Sequence, residues 1–518
     1  MTDQKKNSTT PSAELSAIAD ALEQADFFET VTEVDRRLSW LPRNDMGNAK
    51  RLMERHGKNM LYVRNVGWHW YTGKFWDRKD GESAVQIAAQ QTAASIKAET
   101  AAIAKYGKLE HETEKNFNKR LALHHEFGVA SGNSPKISGM INQAEPHMVK
   151  AIADIDAAPW LYNCENGTLN LKEILGADAE PLQSHNRQDF ISRLAPVRYD
   201  GEADAPRWRA FLNDILPDQD VQSFIQRWFG YCLTGDTGEQ FVVMLHGQGA
   251  NGKSTMIDVM THLLGDYAMT INFSSLLHDD RKRGSEASPD LARLPGARAV
   301  VAAEPEIGAR FSESLLKSMT GGDVMTVRHL NKDFFEFTPQ FKLTLAFNNK
   351  PQVRGNDEGI WRRLLLVPFE NIIPKAQRDP QLKIKLRAEA SGILNWMLDG
   401  LRLYLEKGLQ PPDAVQNATR EYREDNDPVG QYMALCVVRK AGCNIEASDL
   451  YELYKSWCRD NAADPVSKTA FGKMLGERGY EKAKMGNIYY KNLEFTEDAR
   501  AKLNGLRLND RNQGGDHD

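Results

Sequence analysis

Apolar positions fall into stretches with different periods along the chain. Residues 13–28 (AELSAIADALEQADFF) and 45–57 (DMGNAKRLMERHG) repeat at helical spacing and predict two short amphipathic helices, the second capped by Asp45. LYVRNVGWHWYTGKFWDR (61–78) alternates aromatic with polar positions and is punctuated by Gly67 and Gly73, which predicts a β-hairpin or small meander. Its aromatics serve either as core or as stacking surfaces for bases. Residues 84–131 are Ala-rich, charged and nearly free of Gly and Pro; they predict long helices acting as a solvated spacer. NGTLNL (166–171) is a second hairpin signal, and these pieces predict one α+β domain over 31–205.

Helical spacing returns over 206–235, then five short apolar runs appear: FVVMLH (241–246), YAMTINF (267–273), RAVVAA (298–303), FKLTLAF (341–347) and RLLLVPF (363–369). Continuous apolar runs alternating with helices predict an α/β layer with a mostly parallel five-stranded sheet. Residues 380–425 predict helices broken at PPD (411–413), so this core spans 206–425. The stretch 426–495 predicts helices at 448–459 and 467–478, then a strand pair in GNIYYKNLEF, the order of a winged helix-turn-helix. The lead, 1–30, and the tail, 496–518, are polar at their extremities and predict flexible segments.

Candidate chemistry concentrates behind the first apolar run. GQGANGKST matches G-x-x-x-x-G-K-[ST], with Gly247, Gln248, Gly249, Ala250, Asn251, Gly252, Lys253, Ser254 and Thr255. Glycines let backbone N–H groups turn inward around phosphate oxygens. Lys253 neutralises phosphates, and Ser254 ligates Mg²⁺. Behind it, Met256, Val259, Met260, Leu263 and Leu264 share one helical face, so the helix N-terminus points at the anion. Glu304 follows another apolar run and either ligates Mg²⁺ or activates water, with Glu306 two residues on. Asn348 ends a further run, where an amide senses the γ-phosphate. Arg362 and Arg363 follow; one of them suits an arginine finger acting on a neighbour's nucleotide. MTVRHL and FFEFTP read as strand-like runs around a polar tip, where basic side chains suit phosphates.

The segments GQGANGKST, RAVVAAEPEIGARFSESLLKSMTGGD, MTVRHLNKDFFEFTP and FKLTLAFNNKPQVRGNDEGIWRRLLLVPF together resemble the superfamily 3 helicases of the AAA+ class. Similarity is strongest to the branch of phage and plasmid primase–helicases and the poxvirus primase–helicase. DMGNAKRLMERHGKNMLYV, NGTLNL and YELYKSWCRDN with FGKMLGERGY resemble the flanking domains of that family, so the likeness covers roughly 35–495. The resemblance implies an ATP-driven ring, hexameric, translocating 3′ to 5′ on single-stranded DNA. It also implies that a hairpin tip enters the channel, at positions that correspond to Arg328, His329 and Lys332. Two departures stand out. Many members have two adjacent acids where this chain has Ala303-Glu304-Pro305-Glu306. Long relatives carry a primase domain ahead of this region, whereas residues before 206 hold no cysteine pair for zinc. Asp154-Ile155-Asp156 has metal-site spacing, but VKAIADIDAAPW reads as helix. No H-x-H followed by Tyr, as in nicking initiators, is present.

Lys plus Arg is 66 against Asp plus Glu 71, so the formal net charge is −5. Bulk positive charge therefore does not coat nucleic acid; repeated copies of a small basic tip still make a positive pore. From Ser467 to Lys491 six basic residues face two acidic ones, so the C-terminal unit suits either phosphate or protein contacts. Five cysteines without C-x-x-C spacing predict no disulfide framework or zinc finger and a reducing compartment. No apolar run is long enough for a membrane span. The expected activity is ATP- and Mg²⁺-dependent DNA unwinding for a phage, prophage or mobile element in a bacterial cytoplasm. Expected partners are single-stranded and forked DNA, further copies of the chain, and a separate primase or origin-binding protein. The alternatives are an origin-binding initiator that uses ATP as a switch, and a primase–helicase that still makes primers.

Overall fold

The computed structural model describes residues 31–176, 180–278, 289–305, 308–330, 333–353, 358–461 and 463–513; the helix expected over 13–28 lies outside them. They group into two compact units. One is built on 31–199 with the segments Leu264–Tyr267 and Thr326–Phe337, the other on Asp200–Leu263, Ala268–Met325 and the chain from Thr338 onwards.

In the first unit the Ala-rich run becomes the helix Gly81–Tyr106, followed by Glu114–Ser131 and Ser134–Ala144. It is no solvated spacer. Val85, Ala88, Ala89, Thr92, Ala93 and Ile96 are buried, a stripe at i, i+3, i+4, i+7, i+8 and i+11. Alanine there brings neighbouring helices close, and Asp45–His56 and Ser134–Ala144 pack on that face. The cap of Asp45–His56 is Asn44, not Asp45: the Asn44 side chain accepts from Gly47 N at 2.9 Å.

The aromatic stretch forms an antiparallel meander of β1 (Met60–Val63), β2 (Gly67–Tyr71) and β3 (Trp76–Asp77), and β4 (Val149–Lys150) adds parallel to β1. Trp68, Tyr71 and Trp76 are buried, so they are core and not a stacking surface for bases. NGTLNL lies in a second antiparallel sheet of β5 (Leu161–Cys164), β6 (Gly167–Asn170) and β7 (Leu182–Gln183). The helix expected around Asp154-Ile155-Asp156 is a single 3-10 turn, Ile152–Asp154. Asp156 turns inward at φ 53°, where its carboxylate accepts from the Ser192 backbone N at 2.7 Å and hydroxyl at 2.5 Å. Both carboxylate oxygens thus serve to hold this turn against Ser192.

The second unit holds the expected sheet. β8 (Val242–His246), β9 (Ala268–Thr270), β10 (Ala299–Ala303), β13 (Lys342–Phe347) and β14 (Leu364–Pro368) pair in the order β14-β8-β13-β10-β9, all parallel. Residues of both pleat faces are buried in β8, β13 and β14, as parallel strands require. Between β10 and β13 the chain forms a two-stranded hairpin, β11 (Met325–Val327) with β12 (Phe335–Phe337). The helices Gln219–Tyr231 and Ala390–Lys407 cross closely, because Gly230 and Gly400 meet there. A Cβ on Gly230 would lie 2.3 Å from Leu401 N, and one on Gly400 2.1 Å from Gln226 O. Trp228 then donates to Thr344 Oγ1 at 2.9 Å, which ties the helix to β13.

Toward the C-terminus, Ala447–Asp460 and Lys468–Glu477 match the expected helices; GNIYYKNLEF, expected as a strand pair, is instead the single strand β17 (Asn487–Phe495), and its antiparallel partner β16 (Lys482–Met485) lies just ahead of it. A further strand, β15 (Val437–Glu446), pairs with β17. It carries a bulge between Arg439 and Asn444 and few buried side chains, so it leaves no alternating signal. The expected tail is instead helical over Glu497–Gln513. Ala499 and Leu503 are buried and Leu506 half-buried in the same core, so a short apolar face holds this helix down.

In the first unit, Arg51 and Glu99 are wholly buried, with Nε to Oε2 at 2.8 Å. Arg55 and His124 also reach Glu99, at 3.3 and 3.2 Å, and Arg51 donates to the carbonyls of Pro42 and Leu38. Glu99→Ala leaves the wholly buried Arg51 guanidinium without its counter-charge, whereas Arg55 keeps Asp35 at 2.7 Å. The substitution is expected to cost about 3–5 kcal/mol, read as a lowered midpoint in chemical unfolding of the full chain.

Candidate functional site

β8 delivers the loop 247–252, and the ends of neighbouring strands shape it. Gly247 passes under the carbonyl of Phe369, where a Cβ would stand 2.2 Å from the oxygen. Gly252 takes φ 81°, and a Cβ there would meet Ile215 Cγ2 at 2.4 Å. Asn251 is buried and donates Nδ2 to Phe369 O at 3.0 Å, while Ile373 N donates to Ala250 O at 2.9 Å. The helix Lys253–Leu264 starts where the loop ends; Met256, Val259, Met260, Leu263 and Leu264 are buried on its inner face. Its first N–H groups therefore head the loop, the arrangement that binds anions.

Lys253 is only 5% exposed. Its Nζ donates to Gly247 O at 2.6 Å, Asn251 Oδ1 at 3.1 Å and Asn348 Oδ1 at 3.3 Å. Burial pulls its pKa down to about 8, against the opposing pull of the Glu304 carboxylate. Glu304 follows β10 directly and is exposed, with φ 58°. A non-glycine residue in that region is uncommon; here Glu304 N donates to Ala346 O at 3.0 Å and pins the turn. Asn348 follows β13 and is also exposed.

These three groups meet because the strands are in register. Ala303 pairs with Ala346, and Phe347 with His246, so residues just past each strand open into one crevice at the carboxyl edge. A cleft of about 510 Å³ is lined there by Lys253, Ser254, Asp258, Glu304, Asn348 and Lys383 among others. A second cavity of about 770 Å³ borders Ala250, Gly252 and Thr255 and is walled by Phe211, Ile215, Ile373 and Lys383. Sequence reasoning missed these wall residues. Phe211 and Ile215 look like ordinary helix core, and Lys383 sits on a later helix, Leu382–Arg387. Lys383 and Arg387, four apart on that helix, both reach Asp258 on the loop's own helix, at 3.5 and 2.7 Å.

The arginines lie elsewhere. Leu364 pairs with Val242 and Pro368 with His246, so Arg362 and Arg363 stand at the amino edge, with the cleft at the carboxyl edge. The five residues of β8 separate these edges by about 13 Å. Arg363 is 8% exposed; it donates Nε to Thr320 Oγ1 and Nη2 to Gln240 Oε1, both at 3.2 Å. Arg362 is exposed, with Nη2 on the same Gln240 oxygen at 3.2 Å. Of the two finger candidates, only Arg362 presents its side chain to solvent.

On the hairpin, Arg328 lies 4.8 Å over the Phe334 ring, and the His329 ring is 5.7 Å from that of Phe335; both residues are half-buried. Lys332 and Glu306 lie outside the described residues. In the C-terminal unit part of the basic surplus is spent internally: Lys473 faces Glu477, Lys491 faces Glu481, and Arg478 bonds Asp427 at 2.5 Å. Among the described residues no group of three or more His, Cys, Asp or Glu is placed to hold a metal ion, and no helix is long and apolar enough to cross a membrane.

Three family descriptions match successive segments of the chain. D5 N terminal like matches residues 49–217, a family of unknown function matches 245–363, and poxvirus D5 protein-like matches 424–504. A mimivirus protein provisionally named a helicase is 30% identical over 60% of this chain and 34% of its own length. A frog virus 3 protein, also provisionally named a helicase, is 27% identical over 51% of this chain and 29% of its own. An African swine fever virus protein provisionally named a primase is 26% identical over 68% and 39%. The chain thus spans about a third of the length of the curated relatives it matches. Among solved structures, the apo C-terminal region of NrS-1 matches with a TM-score of 0.39 and 13% identity, over 57% of this chain and 77% of that one. The chain is thus similar to D5-type proteins on both flanks and to proteins provisionally named helicase or primase in large DNA viruses.

Proposed function

We propose that the protein is an ATP-dependent replicative DNA helicase with an AAA+ core of superfamily 3 type. One observation carries this reading. Lys253, Ser254, Glu304 and Asn348 converge on one cleft at the carboxyl edge of a parallel sheet. Lys253 there donates to three neutral oxygens, positions that a triphosphate would take over with far greater charge complementarity. The cavity beside the loop, walled on one side by Phe211, Ile215 and Ile373 and elsewhere by charged side chains, suits the base. Ser254 and Glu304 are hydroxyl and carboxylate donors of the kind Mg²⁺ takes alongside phosphate oxygens and water. Bound there, Mg²⁺ would neutralise charge developing on the transferred phosphoryl group.

Arg362 stands too far along the strands to touch its own chain's phosphates, so it acts in trans on a neighbouring copy. In this reading hydrolysis takes place between subunits of a ring, a homohexamer by the family resemblance. The hairpin residues Arg328, His329 and Lys332 then bind the DNA backbone within the channel. The C-terminal helices and three-stranded sheet act as a winged-helix unit, with Lys468 and Lys484 among the basic side chains that would contact phosphates. The 3′ to 5′ direction, the phage or mobile-element replicon in a bacterial host cytoplasm, and a separate primase partner belong to the same proposal.

Unwinding of forked duplexes by the purified chain with ATP and Mg²⁺ tests this reading. Forks with a 3′ tail are expected to open, and Lys253→Ala to abolish opening. Absence of unwinding beside tight ATP-dependent binding of one duplex sequence would favour the initiator switch. Arg362→Ala is expected to lower kcat for ATP on the order of 10³-fold. Mixing it with Lys253→Ala subunits should restore part of the activity, since each mixed interface can combine one intact lysine with one intact arginine; a finger acting within its own chain gives no recovery.

Lys253 adds a pH signature. Its pKa near 8 in the nucleotide-free protein rises when phosphates bind beside it, because anions favour the ammonium. Nucleotide binding above pH 8 therefore takes up a proton, and affinity falls as pH rises through about 8. Calorimetry near pH 8.5 in two buffers of different ionisation enthalpy should show this uptake, and Lys253→Arg, which stays charged, should lose it.

A further inference from the structure

Arg362 is exposed at the amino edge of β14, and an unrestrained arginine there would sample many rotamers. Its neighbourhood restrains it. Gln240 Oε1 accepts from Nη2 of Arg362 and from Nη2 of Arg363, each at 3.2 Å. Arg363 is itself anchored in the interior, to Thr320 Oγ1 at 3.2 Å and to the carbonyl of Gly359. The chain of contacts thus runs from a buried arginine, through one amide oxygen, to the exposed arginine. An amide oxygen has two lone pairs, so one acceptor serves both guanidinium groups.

The backbone at Gln240 is made for this contact. It takes φ 60°, the left-handed region that a non-glycine residue occupies only when its surroundings hold it there. Two residues later Val242 N donates to Arg363 O at 2.7 Å, so the entry to β8 is laced to the arginine pair. The chemistry of the acceptor matters as well. An amide orients a guanidinium and leaves its charge available, whereas a carboxylate would pair with it and compete with a phosphate. The acid nearest Arg362 along the chain, Glu358, is turned to Arg423 at 2.8 Å.

We propose that Gln240 is a positioning residue, whose side-chain oxygen links buried Arg363 to exposed Arg362 and presents the Arg362 guanidinium to the γ-phosphate held by a neighbouring copy. This rests on the trans-acting reading of Arg362. Because Gln240 touches no substrate, its removal acts on the rate of the chemical step and leaves nucleotide binding at the Lys253 cleft intact.

Steady-state ATP hydrolysis by the full chain with single-stranded DNA tests it, using Gln240→Ala, Gln240→Glu, Gln240→Asn and Arg362→Ala. Gln240→Ala should lower kcat by about tenfold or more, with KM for ATP changed less than about threefold. Gln240→Asn tolerates the left-handed backbone but withdraws the oxygen by one methylene, so it should show the same loss even if the alanine variant folds poorly. Gln240→Glu should also lower kcat, by holding Arg362 in an ion pair. In the double variant with Arg362→Ala, the Gln240 substitution should add nothing. Losses that multiply in the double variant, or KM and kcat moving together, would mean a merely structural role and overturn the proposal. Normal kcat in Gln240→Asn beside a large loss in Arg362→Ala would sink the proposal alone. Unchanged kcat in Arg362→Ala would sink the trans reading and the proposal with it.

Discussion

The site depends on the parallel register of β8, β10 and β13. Parallel strands end on the same side, and each backbone is committed to its neighbours across the whole sheet. Residues past the ends are the first with free polar groups, so one crevice collects whatever follows each strand. Here that is the glycine-rich loop 247–252, Glu304 and Asn348. A slip by one residue of β13 against β8 would turn its side chains to the other face and move Asn348 away from Lys253. Burial of β8, β13 and β14 makes such a slip costly, because every inward apolar side chain would change place.

The opposite edge is built from cations that satisfy carbonyls. Arg298 and Lys342 are almost wholly buried, yet each finds oxygens: Arg298 donates to Leu233 O, and Lys342 to Thr234 O and, at 3.2 Å, to Asp236 O. Lys342 also sits 4.7 Å over the Tyr231 ring. Burial pulls the Lys342 pKa down to about 7, and the carbonyl contacts of both side chains fasten the loop ahead of β8 to the sheet. Arg363 continues the pattern toward Thr320 and Gln240. The amino edge is thus tied down by buried contacts, while the carboxyl edge is open and polar.

Outside the sheet, two different solutions to the packing problem appear. The N-terminal helices meet over alanines, small enough for close approach, and set a buried charge network of Arg51, Arg55, Glu99 and His124 among them. The C-terminal unit instead stacks rings: Tyr454 and Phe471 lie 4.7 Å apart, and Tyr432 lies edge-on to Tyr454 at 5.5 Å. Aromatic side chains bury much area per residue, which lets a short segment build a core of its own.

The five core strands were legible along the chain, because a strand buried on both faces must be apolar without interruption. The glycine-rich loop after β8 was legible for a related reason: the close approach of Phe369 O and the left-handed turn at Gly252 exclude Cβ atoms, and only glycine meets that demand. Helical periodicity showed where the Ala-rich helices run but not that they are core, since an alanine stripe reads alike whether covered or bare. The aromatic meander posed the same ambiguity, settled by burial of Trp68, Tyr71 and Trp76. Local spacing could not separate Arg362 from Arg363, adjacent and chemically identical. Only the packed structure, by burying one against Thr320 and leaving its neighbour in solvent on a shared Gln240, decided which of them is presented outward, because burial depends on what distant segments bring to the site.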